Sequence, residues 1–385
     1  MNLEELKAHY DAKEKIKSAY RRTGKNEVLA DYYKQLADET GEESYNGNAS
    51  RISLCARFWC IDFYQKQKVK DVAQISLCHD RFCDNCQNAQ AIARERQFEP
   101  VLDWFAPRYD IFHVVFTVPN VYPEELEPTL NKMYENIGYM FRLFRGNARI
   151  KGYDFSAYKY LGAVRSLEIT KGRDGETFHP HFHCLLLLRK GTNFKGKNIN
   201  SYSFDNADVK RKHRKKTEQA ERSFSDFEIL LQKIWRLRCE GVRVNKKNIL
   251  ELKEGYSVVI NRAKAEDYKE VFKYATKGIF SGKSSRGYND FVPLALALKS
   301  RRITQGYGVF RSIDFEMYTG QENEDETEKL MYENFIRDLK KEEVPVREVE
   351  ELFGIAREAN KGEVVYVTKQ KIREIVQGYI NDRGK

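Results

Sequence analysis

The chain has 385 residues, with 67 Lys and Arg against 57 Asp and Glu and a net charge of +10. It is long enough to bury a core without covalent staples, and basic enough to favour a polyanionic partner through counterion release. The apolar runs, such as Cys184 to Leu188, fall far short of the roughly twenty residues of a membrane span, and the polar start MNLEELKAHYDAKEK has no signal-peptide core. The expectation is a cytoplasmic protein with no membrane partner.

In chain order, residues 1–50 read as a helical N-terminal extension that ends in the loop-like stretch GEESYNGNAS. Residues 51–100 form a cysteine-rich zinc-binding segment that runs into a helix, AQAIARERQFEPVLDWF. Asp110 to Pro119, β-branched and aromatic and closed by a proline, reads as a buried strand. A helix opens near Pro123 with Glu124 and Glu125 in its first turn, suited to the positive end of its dipole. Tyr160 to Thr170 and His181 to Leu188 then form a hairpin around the turn signal Asp174-Gly175. The charge run Lys210 to Lys216 reads as a loop, and SDFEILLQKIWRLR as an amphipathic helix. A short strand near Tyr256 to Ile260 precedes a helix from Glu266 to Lys277, and Arg347 to Ile380 reads helical. The alternation implies an α+β fold: a central, mainly antiparallel sheet with flanking helices over residues 101–315, a small zinc-binding segment before it, and helical extensions at 1–50 and 316–385.

Three constellations carry chemistry. In His179-Pro180-His181-Phe182-His183, side chains alternate across a strand, so His181 and His183 share a face at chelating separation. The hairpin turning at Asp174-Gly175 sets Glu168 directly across from His181. Two imidazoles and one carboxylate make a divalent-metal site with open positions, able to polarise a phosphoryl oxygen. His179 shares their parity but precedes Pro180, and reads as a loop or supporting residue. The second constellation is Glu270, Tyr274 and Lys277, one turn apart on one helix face, where a phenol gains nucleophilicity from a neighbouring cation. The third comprises Cys78, Cys83 and Cys86, the last two a CxxC knuckle. An upstream cysteine, Cys55 ahead of Cys60, completes a tetrahedral zinc set, with His79 a further alternative and buried free thiols the bland reading. Gly278 to Ser284 imitates a phosphate-binding loop, but it is one residue short between its glycines and follows a helix, so no ATPase is expected. Lys210, Arg211, Lys212 and Arg214 could hold DNA phosphates, as could Arg301 and Arg302, though such runs are usually solvated surface.

Taken in order, these elements resemble the HUH endonuclease superfamily, and within it the plasmid rolling-circle replication initiators of Gram-positive bacteria. The likeness covers about Arg51 to Arg311. It rests on FTVPN (Phe116 to Asn120), HPHFH, Glu270-Val271-Phe272-Lys273-Tyr274 with Lys277, the CHDRFCDNC knuckle and SRRITQGYGVF. The resemblance implies Mg²⁺ or Mn²⁺ on His181, His183 and Glu168, structural Zn²⁺ on the cysteines, and attack of Tyr274 on the scissile phosphate of single-stranded or cruciform origin DNA. A 5′-phosphotyrosyl bond and a priming 3′-hydroxyl would result. Where some relatives carry a second tyrosine, Glu270 offers a carboxylate that can activate water for termination. A host helicase and polymerase are implied as partners, and a homodimer is possible. Competing expectations are a mobilisation relaxase or transposase with the same chemistry, a non-catalytic zinc-containing copy-number regulator, and a small-phosphoester hydrolase.

Overall fold

The computed structural model describes residues 25–66, 69–192, 194, 211–214, 219–222, 224–264, 271, 287–311 and 346–351. The chain divides into two compact units, Met1–Gln90 with Gln321–Lys385, and Ala91–Gly320.

In the first unit, α1 (Asn26–Thr40) buries Leu29, Ala30, Tyr33, Leu36 and Ala37, a helical stripe, and stops at Gly41 with φ 69°. Next comes α2 (Ser44–Ser53), where the sequence reads as a loop. Its glycine and asparagines are poor helix formers, but Tyr45, Ala49 and Ile52 recur every turn and are buried, and Tyr45 stacks on Tyr33 with ring centroids 6.0 Å apart. Packing outweighs propensity here. Strands β1 (Phe58–Tyr64) and β2 (Val69–Ile75) pair antiparallel, and the far edge of β1 takes a third strand, Val346–Glu351. The helical reading from Arg347 is thus corrected at its start: an open sheet edge supplies backbone partners that local propensity does not register.

The second unit is built on five antiparallel strands in the order β8-β3-β5-β4-β9. Its elements run α3 (Asp84–Phe105, entered from the first unit), β3 (Tyr109–Thr117), α4 (Leu126–Arg145), β4 (Gly162–Lys171) and β5 (Phe178–Arg189). A short β6 (Arg211–Arg214) and β7 (Gln219–Arg222) pair with each other. Then come α5 (Asp226–Cys239), α6 (Lys246–Glu251), β8 (Val258–Arg262), α7 (Tyr288–Leu298) and β9 (Thr304–Gly308). The expected antiparallel sheet flanked by helices is the fold observed. Residues 211–214, read as loop, are a strand, because a second segment lies opposite them.

β5 is central, and its two faces differ. Phe182, Cys184, Leu186 and Leu188 are buried on one face, beneath α4 and α5. Tyr134 of α4 meets Phe182 edge-on at 5.3 Å, and Trp235 of α5 meets Phe116 at 5.3 Å. α5 is also fixed in register: Ser225 and Glu228 form its capping box, Glu228 accepts from Ile260 N–H, and Trp235 Nε1 donates to the Thr117 carbonyl at 3.0 Å. On the other face, Ile111, Val164, Leu185 and Leu187 pack with Val101, Leu102, Phe105, Val271 and Phe310. That cover lies over one end of the strands. The remainder of the face carries the histidines. Pro180 lies one residue past the last β3 partner, since Thr117 pairs with His181, so its missing N–H removes no bond from that ladder.

Asp110 clamps the strand ends opposite the site. Its carboxylate accepts from the Gly191 and Thr192 backbone N–H groups at 2.8 and 3.0 Å and from Arg262 at 2.5 Å. Burial works to raise its pKa, but Arg262 and the backbone donors outweigh this and hold it below the usual range. A depressed carboxylate stabilises the fold above its unfolded pKa of about 3.9, and the contribution is lost as pH falls through the folded value. Asp110→Ala is therefore expected to cost about 2–3 kcal/mol in urea unfolding at neutral pH, and the gap to wild type should close in strong acid. Equal stabilities at pH 7 would show that the clamp contributes nothing. Among the described residues, no helix is long and apolar enough to cross a membrane.

Candidate functional site

The hairpin register follows from its turn. Asp174 accepts from the Thr177 and Glu176 backbone N–H groups and from the Thr177 hydroxyl, bonds that bring its pKa down to about 2, while Gly175 takes the left-handed conformation at φ 69°. Glu168 is consequently paired with His181, as the turn position implies. Glu168 Oε2 lies 3.1 Å from His181 Nε2 and 2.7 Å from His183 Nε2. One ligand atom from each of the three lies within 4.8 Å of the others, a spacing that could hold a metal ion. Burial tends to raise the Glu168 pKa, but hydrogen bonds and charge from His181 and His183 prevail and hold the carboxyl well below its ordinary range.

Both imidazoles are anchored at their second nitrogen. His181 Nδ1–H donates to the His179 carbonyl at 3.1 Å, and His183 Nδ1 meets His113 Nε2 at 3.0 Å. His113 is a functional candidate that the sequence reading passes over. Its only signal is a polar residue inside the apolar run Ile111 to Phe116, and its relation to His183 appears only once Val115 is known to pair with His183.

His179 is tied down by a directional chain. The Asp174 carboxylate can only accept, so the Thr177 hydroxyl donates to it; the Asn120 amide donates to Thr177 Oγ1 at 3.1 Å, which turns Asn120 Oδ1 toward His179 Nδ1 at 2.7 Å. His179 Nδ1 therefore carries the hydrogen. Burial and the neighbouring His181 hold its pKa below the ordinary imidazole value. A cleft of about 600 Å³ opens over these groups, lined by Val115, Thr117, Asn120, Tyr256 and Asn261 together with His179, His181 and His183. Its lining mixes apolar and polar side chains beside the Glu168, His181 and His183 group.

Glu270, Tyr274, Lys277 and Lys210 lie outside the described residues. Val271 is described. It is helical, fully buried, and packed with Val164, Leu185 and Leu187 on the same sheet face as His181 and His183. The backbone of Arg211, Lys212 and Arg214 forms β6. Arg301 donates to Asn131 Oδ1 and to the Ala297 carbonyl, so its guanidinium is engaged within the protein.

In the first unit, Cys55 follows α2, Cys78 follows β2, and Cys83 and Cys86 flank the start of α3. Sγ separations are 3.4 Å for Cys55–Cys83, 3.4 Å for Cys78–Cys86 and 3.6 Å for Cys55–Cys86. Zn–S bonds of about 2.3 Å in a tetrahedron imply S···S distances of about 3.8 Å, so the four sulfurs surround a volume that fits such an ion. Contacts from Cys55, Cys78 and Cys83, and from His79 N–H, hold the Cys86 thiol far below its usual pKa, while Cys78 and Cys83 are pushed up. A cation among the four sulfurs would favour their thiolate forms. The group is completed by Cys55, the favoured of the two upstream cysteines; Cys60 stands in β1.

A family model described as a replication protein matches residues 69–202, a span holding three of the four cysteines and the whole hairpin that carries Glu168, His181 and His183. Over that span the chain is similar to the replication-protein family. It is 27% identical over 173 residues to "Protein rep" of Bacillus amyloliquefaciens, covering 44% of this chain and 48% of that one. Likeness to "Protein rep" of a Bacillus species is 26% over 172 residues, covering 44% and 52%, and to "Protein rep" of Streptococcus pneumoniae 26% over 133 residues, covering 34% and 38%. The chain thus spans about half the length of the first two relatives. No solved structure matches.

Proposed function

We propose that this protein initiates rolling-circle replication of a plasmid or related mobile element by nicking its double-strand origin. The observation that carries this reading is the open triad of Glu168, His181 and His183 beside a cleft, on the sheet face against which Val271 packs three residues before Tyr274. The triad would hold Mg²⁺ or Mn²⁺, whose chemistry there is polarisation of a phosphoryl oxygen. The Tyr274 oxygen attacks the scissile phosphorus as the P–O3′ bond breaks, leaving a 5′-phosphotyrosyl bond and a free 3′-hydroxyl. Lys277 offsets charge near the phenolate, and Glu270 takes a proton from the water that ends the cycle, unless a strand joins instead. Cys55, Cys78, Cys83 and Cys86 would hold structural Zn²⁺, and Lys210, Arg211, Lys212 and Arg214 would contact DNA phosphates. Single-stranded or cruciform origin DNA is the substrate, and a host helicase and polymerase in the cytoplasm would extend the primer.

The test uses labelled single-stranded DNA from the element's own origin, Mn²⁺, and wild type beside Glu168→Ala. Wild type should nick only with the cation. The variant should bind Mn²⁺ at least about 100-fold more weakly by calorimetry and lose nicking with it, a larger loss than supporting residues give. Because the Glu168 pKa is depressed, the carboxylate stays ionised below the ordinary value of about 4.3 and drops out only as pH falls through its lower folded value. Undiminished nicking by Glu168→Ala, or nicking in chelator, would overturn the assignment.

A further inference from the structure

We propose that His113 is a positioning residue that fixes the tautomer and ring orientation of His183, an inference that rests on the metal reading of the triad. His113 lies on β3 and is buried, with 7% of its surface exposed. Its Nε2 is 3.0 Å from His183 Nδ1, while the two ring centroids are 5.2 Å apart and the planes differ by 15°. The centroid separation is about the nitrogen separation plus two ring radii, so the rings meet edge to edge, nearly coplanar. Each nitrogen's lone pair or N–H therefore lies along the contact.

Two facing imidazole nitrogens need one hydrogen between them, because two lone pairs at 3.0 Å repel. His183 turns its Nε2 to Glu168, where the metal-binding group converges. Ligation requires a lone pair at that Nε2, which puts the ring hydrogen on Nδ1 and makes His183 the donor and His113 Nε2 the acceptor. The reverse arrangement places a hydrogen on His183 Nε2 and blocks it as a ligand. His181 reaches the same state by another route, since the His179 carbonyl it meets can only accept. The central strand carries both ligands, but only His181 finds its orienting acceptor on that strand. His183 takes it from β3, on the diagonal next to its partner Val115. Neighbouring positions across from His113 are Leu185 on β5 and Asn261 on β8, so the acceptor is set in a packed row of the sheet.

The test measures Mn²⁺ binding by calorimetry for wild type, His113→Phe and His113→Gln, each first shown by circular dichroism to be folded without metal. Phenylalanine keeps a flat ring but offers no acceptor, and binding should weaken about 10- to 100-fold. Glutamine offers a carbonyl acceptor and should restore affinity to within a few-fold of wild type. A second measurement needs no variant: in wild type saturated with Mg²⁺, ¹⁵N-resolved imidazole spectra should show His183 protonated at Nδ1 and His113 unprotonated at Nε2. Equal Mn²⁺ affinity in wild type and His113→Phe, equal losses in both variants, or a His183 bare at Nδ1 would overturn the proposal. Wild type that binds no Mn²⁺ would instead remove the metal reading beneath it.

Discussion

Phenylalanine in place of Tyr274 is expected to abolish the covalent protein–DNA adduct while leaving Mn²⁺ binding at wild-type strength. The substitution removes one oxygen and no ring, so losses should appear in chemistry and not in fold. Removing a nucleophile that starts a covalent cycle commonly costs beyond about 10⁴-fold in rate, because no other group takes over its bond. The described residue nearest to it in sequence is Val271, buried among Val164, Leu185 and Leu187, which continue the row of side chains bearing His181 and His183. The readout is a denaturing gel of labelled origin strand incubated with Mn²⁺. An adduct that survives in Tyr274→Phe would move the nucleophile elsewhere, with Tyr268 the next to replace. An absence of adduct and cleavage in both proteins would favour a DNA-binding module that holds the origin without cutting it.

The parts of the molecule legible in the sequence are those where local chemistry sets the geometry. Asp174-Gly175 dictates the turn, the turn dictates the register, and the register alone places Glu168 against His181. Ser225 and Glu228 likewise mark the start of α5 by themselves. The parts that were not legible depend on partners distant in the chain. α2 is helical because Tyr45 finds Tyr33, not because Gly47 or Asn48 favours a helix. The strand Val346–Glu351 exists because β1 offers it an edge nearly three hundred residues away in sequence. His113 is the same case inside the site: sixty-eight positions before His181, it belongs with the ligands only through the β3–β5 ladder. The candidate metal-binding hairpin can be read from its sequence, whereas the group that meets His183 Nδ1 comes from a neighbouring strand and requires the fold.

On the reading that the four cysteines hold structural zinc, serine at Cys83 is expected to remove that ion and to unfold α1 and α2. The four sulfurs come from the end of α2, the end of β2 and the start of α3, so a single bound ion would join those elements. Among the described residues, the apolar packing around α1 and α2 comes chiefly from Leu29, Tyr33, Leu36, Tyr45, Ile52 and Phe82. Small units of this kind hold only a few kcal/mol of net stability, whereas structural zinc contributes an apparent 10–16 kcal/mol, roughly, in comparable peptides. On that reading the balance turns on the ion, and losing one of four ligands removes much of its contribution. The second consequence concerns Tyr33, which donates to Asp80 Oδ2 at 2.8 Å in the loop between Cys78 and Cys83. If that loop loses its ion, α1 loses its polar anchor as well as its packing. Hydrogen exchange should then show the backbone amides of α1 and α2 exchanging at rates near those of an unfolded chain, and a colorimetric zinc assay should fall by one equivalent per chain. Full zinc content and unchanged protection in Cys83→Ser would mean that the cluster is four buried thiols held by packing alone.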